Sequence, residues 1–125
     1  MSGMDVQNRD ERRRKLWATL CHLAALPGFI VPPLLGIVLW PLLPWLWKRG
    51  EWDYVDSHGR EAVNFQLSML LLFVAVIALA VVLPDGLWLM AMGVSVFDVV
   101  CVLLASKEAI QGREYRYPLS YRFIG

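Results

Sequence analysis

Residues 62–106 read AVNFQLSMLLLFVAVIALAVVLPDGLWLMAMGVSVFDVVCVLLAS, and this stretch decides the fold. Its hydrophilic break is Pro84-Asp85-Gly86, a tight-turn sequence. On either side of the break, Ala62 to Leu83 and Gly86 to Ser106 are each long enough to cross a hydrocarbon core of about 30 Å at a helical rise of about 1.5 Å per residue. The expectation is an antiparallel pair of membrane-spanning helices closed at Asp85-Gly86.

Upstream, Leu16 to Trp47 also carries no Asp, Glu, Lys or Arg. As one continuous helix it would be about 48 Å long, and Pro27-Gly28 and Pro32-Pro33 interrupt it by removing N–H donors and restricting the residue before each proline. Two short helices are predicted, about Lys15 to Leu26 and Pro33 to Trp47, forming a shallow re-entrant hairpin or crossing a locally thinned bilayer. The predicted fold class is an all-α integral membrane protein, a compact four-helix transmembrane bundle. It is flanked by a basic cytoplasmic segment over 1–15 and an interfacial aromatic and basic tail over 112–125, with the helical domain at 16–111.

Composition supports this placement. The chain is 58% hydrophobic and 18% charged, with a mean hydropathy of +0.50, whereas soluble domains carry about 25% charged residues. The net charge of +1 hides three basic clusters: Arg9 to Lys15; Lys48, Arg49 and Arg60; Lys107 to Arg122. None of the stretch from Ala62 to Ser106 is basic. The positive-inside rule therefore places both termini and the loop from Lys48 to Arg60 in the cytoplasm, and predicts a multi-pass protein of the inner, cytoplasmic membrane. Nucleic acid is a poor partner, because Asp10, Glu11, Glu51, Asp53 and Asp56 are interleaved with the basic residues. The partners expected are membrane lipid and either a membrane protein or a second copy of the chain; no small-molecule substrate is indicated. Arg12 to Lys15 followed by an apolar run imitates a secretory signal, but the apolar run continues past any cleavage position. Cys21 and Cys101 lie in apolar segments without a partner at metal or redox spacing.

Asp98 is the costliest residue, since a carboxylate near mid-span costs about 2.5 to 3.5 kcal/mol on insertion scales. Its helical neighbours Ala91, Ser95, Val102 and Ala105 form a narrow strip that lets another helix approach. On the preceding helix Ser57, Glu61, Asn64 and Ser68 share one face, with Gln66 pointing the opposite way. His22 sits with Ala18 and Ala25. Counting inward from the cytoplasmic ends, His22, Ser68 and Asp98 all lie about 9 to 12 Å deep. This predicts one buried polar cluster of His22, Glu61, Asn64, Ser68 and Asp98, in which Asp98 faces Asn64 and Ser68 and His22 shares a hydrogen bond directly or through water. Such a cluster serves either as interhelical glue or as a titrating pair, Asp98 with His22, in an ion or small-solute pathway; the purely apolar run Phe73 to Leu83 offers such a pathway nothing on the outer half. No HExxH, GxSxG or P-loop occurs. No catalytic residue, metal ligand or cofactor site is assigned; His58, Asp56 and Glu61 could suggest a metal site but read as solvated loop and helix-start residues, with Asp56 or Ser57 as the N-cap.

The stretch Val55-Asp56-Ser57-His58-Gly59-Arg60-Glu61-Ala62-Val63-Asn64-Phe65-Gln66, with His22 before it and Tyr115-Arg116-Tyr117-Pro118-Leu119 after it, resembles the small bacterial membrane proteins catalogued as domain of unknown function 4870. Those are distantly similar to the twenty-kilodalton membrane subunit of the chloroplast inner-envelope translocon. The resemblance rests on Asp56, His58, Gly59, Arg60, Glu61, Asn64, Phe65 and Gln66. It implies a four-helix domain with both termini cytoplasmic and, by the translocon analogy, a component that binds other membrane or translocating proteins. With the absence of a catalytic constellation, the small-residue faces and the interfacial tail, the expectation is a non-enzymatic interaction scaffold or accessory to membrane-protein transport.

Overall fold

A computed structural model describes residues 3–29, 35–118 and 120–124. Among them are four α-helices and no strand: α1 Gly3–Leu23, α2 Gly36–Lys48, α3 Asp53–Ala80 and α4 Leu87–Ile110. Short 3-10 turns follow α1 at Pro27–Phe29 and join α3 to α4 at Pro84–Gly86. The expected hairpin is present, and α3 and α4 are each long and apolar enough to cross a membrane. Pro32-Pro33 of the first expected turn lies outside the described residues.

The helix starts correct the sequence reading. α1 begins at Gly3 instead of Lys15, so the basic N-terminal segment is helical and continuous with the apolar part. α3 begins at Asp53 after an extended Trp52 (φ −141°, ψ 130°). Asp53 and Asp56 thus lie in its first turn, where carboxylates favour the helix dipole. Asp56 and Ser57 are therefore inside the helix and neither caps it, and His58 is buried, not solvated. The charge pattern concealed this because the first two turns of α3 are polar in sequence yet packed against other elements.

The interior reverses the usual distribution. His22, His58, Asn64, Gln66 and Asp98 are buried, whereas Leu71, Val74, Ile77, Val96, Val100 and Leu103 are exposed on α3 and α4. Buried polar groups and a broad exposed apolar surface are the informative departures from a soluble pattern, and they suit a bundle whose solvent is lipid. The buried residues of α1 and α4 lie toward the charged end. There Ala18, Cys21, Trp45, Tyr54, Val55, Ala62, Val63 and Ala109 join all four helices, and Ile37, Phe65, Met69, Phe73, Cys101, Ala105 and Tyr117 continue the core inward.

Candidate functional site

Three groups of polar side chains occupy the charged end of the bundle. The first is a hydrogen-bonded chain across α1, α3 and the C-terminal tail. Its geometry begins at the end of α4, where Gly112 adopts a left-handed φ of 83°. Gly112 N donates to Ala109 O and Arg113 N to Glu108 O, the paired bonds of a Schellman cap, which glycine permits without a steric penalty. The cap turns the tail back so that the Arg113 carbonyl lies 3.0 Å from His58 Nε2. His58 Nδ1 lies 2.8 Å from His22 Nε2, and His22 Nδ1 lies 2.6 Å from the Tyr117 hydroxyl.

With neutral rings only one assignment of protons satisfies every member. A carbonyl only accepts, so His58 donates from Nε2 and accepts at Nδ1. His22 therefore donates from Nε2 and accepts at Nδ1, and Tyr117 O–H donates to it. Burial, followed by the negative neighbours led by Asp98, holds the Tyr117 phenol well above its ordinary pKa, so the hydroxyl retains the proton it donates. Aromatic rings wall the chain in: Tyr54 meets His58 edge-on with centroids 4.5 Å apart, and Phe65 stacks on Tyr117 at 4.1 Å. All four ring nitrogens are engaged, and among the described residues no three His, Cys, Asp or Glu side chains could hold a metal ion.

The second group is Asp98 with Gln66, and it corrects the expected cluster. Asp98 Oδ1 accepts from Gln66 Nε2 at 2.8 Å, not from Asn64, Ser68 or His22. Gln66 does point away from Asn64, as a helical residue two positions on must, and α4 packs on that face, so Asp98 meets Gln66 and not the Asn64 face on which it was expected. Asp98 Oδ2 and Gln66 Oε1 are both buried without a hydrogen-bond partner among the described residues. Both are acceptors. We therefore expect Asp98→Asn, which brings an N–H to the pair, to leave stability unchanged or raise it by up to about 1 kcal/mol, and Asp98→Leu to lower it by about 1 to 3 kcal/mol. Chemical unfolding in detergent micelles measures both, and an asparagine variant as damaged as the leucine variant would refute this account.

In the third group the remaining cluster residues hold the tail. Asn64 donates from Nδ2 to Ile124 O at 3.0 Å and accepts from Ile124 N at 2.8 Å. Ser68 Oγ accepts from Tyr121 N at 2.9 Å. Glu61 accepts from Tyr117 N at 3.4 Å and faces Arg122 at 3.7 Å. Between tail and helix lies an open cavity of about 140 Å³ lined by Ser57, Arg60, Glu61, Asn64, Arg122 and Ile124. The five residues expected to form one cluster are thus divided among three tasks.

The motif from Asp56 to Gln66 supplies members of all three groups, and its other residues join helices. Asp56 accepts from Trp45 Nε1 at 2.9 Å and pairs with Arg60 at 2.7 Å, tying α2 to α3. Gly59 lies under the Trp45 ring, and a methyl group there would come within 2.2 Å of Trp45 Cδ1 and 2.7 Å of its Cβ. His58, Gln66 and Tyr117 are the site residues that sequence reasoning left out of the cluster. Tyr117 lies beyond a helix end, where periodicity carries no information, and the available signal was the ability of a phenol to partner a buried imidazole.

Fold and site together define a small helical protein, two of whose helices are long and apolar enough to cross a membrane, with buried polar groups that bind its own tail to the bundle. The chain belongs to the magnetosome magnetite crystal formation protein family, whose model matches residues 13–124. It is accordingly a membrane protein of magnetite crystal formation. This match overturns the resemblance to domain of unknown function 4870 and to the chloroplast translocon subunit. The residues that carried that resemblance hold helices and tail together, and contacts of that kind recur among folds without specifying function. No curated protein and no solved structure matches the chain.

Proposed function

We propose that this chain contributes to magnetite crystal formation as a membrane-embedded interaction scaffold, without enzymatic chemistry and without conducting ions. The observation that carries this reading is the direction of the hydrogen-bonded chain: it runs Tyr117 to His22 to His58 and stops on the Arg113 carbonyl. A backbone carbonyl has no proton to pass on, so the chain joins elements and leads nowhere. Asp98 is likewise committed to Gln66. The scaffold acts through contacts with other membrane proteins or further copies of itself.

The decisive experiment has two arms. Chain reconstituted in liposomes is expected to give no proton or cation flux above protein-free vesicles; flux abolished by Asp98→Asn would overturn the reading. In a magnetite-forming cell lacking the native copy, Asp98→Asn is expected to restore crystals of normal size by electron microscopy. Asn64→Ala, which releases both bonds to Ile124, is expected to restore them incompletely.

In this reading α3 and α4 cross the bilayer as a hairpin, α1 and α2 complete the bundle from the cytoplasmic side, and the termini and the loop from Lys48 to Asp53 face the cytoplasm. A membrane-impermeant thiol reagent is expected to label Ser57→Cys from the cytoplasmic side. Labelling from the opposite side would reverse the orientation.

A further inference from the structure

We propose that the outward face of α1 is a binding surface for anionic phospholipid headgroups, held by Arg9, Arg12 and Arg13. The observation is a match of azimuth. At about 100° per residue, Ala18, Cys21 and His22 define one side of α1, and all three are fully buried. Leu16 and Leu20 lie opposite and are each 47% exposed. Arg9, Arg12 and Arg13, also exposed, share the side of those leucines within about 100° of arc. Arg14 and Lys15 do not; they turn toward the protein, where both face Glu11 at 3.7 and 3.2 Å.

Depth matches as well. The leucine face rests against lipid in the bundle placement proposed above, on which this inference depends. Arg13 and Arg12 then stand about 4.5 to 6 Å further out along the helix than Leu16, and Arg9 about 10 Å. The headgroup layer is about 5 to 7.5 Å thick on each side of the hydrocarbon, so two guanidinium groups fall within it and the third within a Debye length of its surface. Arg13 also lies over the Trp52 ring, 5.6 Å from its centroid, which holds the cation beside an interfacial aromatic. Guanidinium groups pair with phosphate through parallel hydrogen bonds. Acidic side chains are sparse on this face; Asp5 stands one turn beyond Arg9, outside the headgroup layer.

The test uses the full chain in phosphatidylcholine vesicles containing a minor fraction of phosphatidylglycerol, with spin-labelled forms of each lipid. The chain is expected to bind the anionic lipid over the neutral one at least about fivefold, roughly the attraction of one basic side chain near an anionic surface. Combined Arg9→Gln, Arg12→Gln and Arg13→Gln should bring the preference close to parity, and lysines at the same positions should keep most of it. An unchanged preference in the glutamine variant, or an equal loss on Arg14→Gln with Lys15→Gln, would overturn the proposal. So would loss of the preference in millimolar inorganic phosphate, which would mark a free-phosphate site. A spin label on Leu20→Cys separates the two levels. Shielded from aqueous nickel and open to oxygen, it lies in lipid, and a missing preference then refutes the headgroup site alone; exposed to nickel, it overturns the placement and the site together.

Discussion

Replacing His22 with leucine is expected to lower the stability of the folded chain by about 2 to 6 kcal/mol, because it leaves two buried groups without a partner at about 1 to 3 kcal/mol each. One is His58 Nδ1, an acceptor; the other is the Tyr117 hydroxyl, a donor. Leucine fills a volume close to that of the imidazole, so the effect reports the hydrogen bonds more than a cavity. The loss should exceed that of Tyr117→Phe, which strands a single acceptor on His22. Unfolding in mixed micelles at increasing detergent denaturant, followed by helical circular dichroism, measures both. A His22→Leu variant within about 1 kcal/mol of the parent, a typical net value for one hydrogen bond, would mean that the chain of bonds does not hold the tail and the helices together. The combined variant should be less damaged than the sum of the two, since each removes part of the same interaction.

Gly59→Ala is the second large effect, of about 1 to 3 kcal/mol or more, as expected when a methyl group is forced into a filled core. The added carbon would meet Trp45 at its Cβ as well as its ring, so rotating the side chain cannot relieve the overlap. α2 must shift away from α3, and the Trp45 bond to Asp56 at 2.9 Å is lost with the shift. Trp45→Ala in the same chain should recover part of the loss by removing the obstructing ring, though it opens a cavity of its own. A Gly59→Ala protein with parental stability and an unaltered tryptophan emission would show that α2 does not rest on this glycine.

Much of the architecture was legible in the primary structure because lipid imposes simple demands on a chain. Two apolar runs separated by Pro84-Asp85-Gly86 must pair as a hairpin, and a carboxylate at position 98 must find a polar neighbour. The helix starts at Gly3 and Asp53 were not legible. Both segments are charged in sequence, and charge alone does not distinguish a solvated loop from a helix, whether its polar turns pack on other elements, as after Asp53, or stay exposed, as after Gly3.

The sequence by itself therefore determined the helical class, the two runs long and apolar enough to cross a membrane, their hairpin, and the fact that buried polar groups must exist, since these follow from hydropathy and from the cost of leaving polar groups unpaired. Which groups meet was decided only by the tertiary structure. Helical periodicity sorts residues by face within one helix but is silent on which neighbour covers each face, so Asp98 met Gln66 instead of Asn64. It is silent also on a tail outside any helix. The left-handed turn at Gly112 brings Arg113 and Tyr117 back over the bundle, and from that fold of the chain come the partners of His58 and His22.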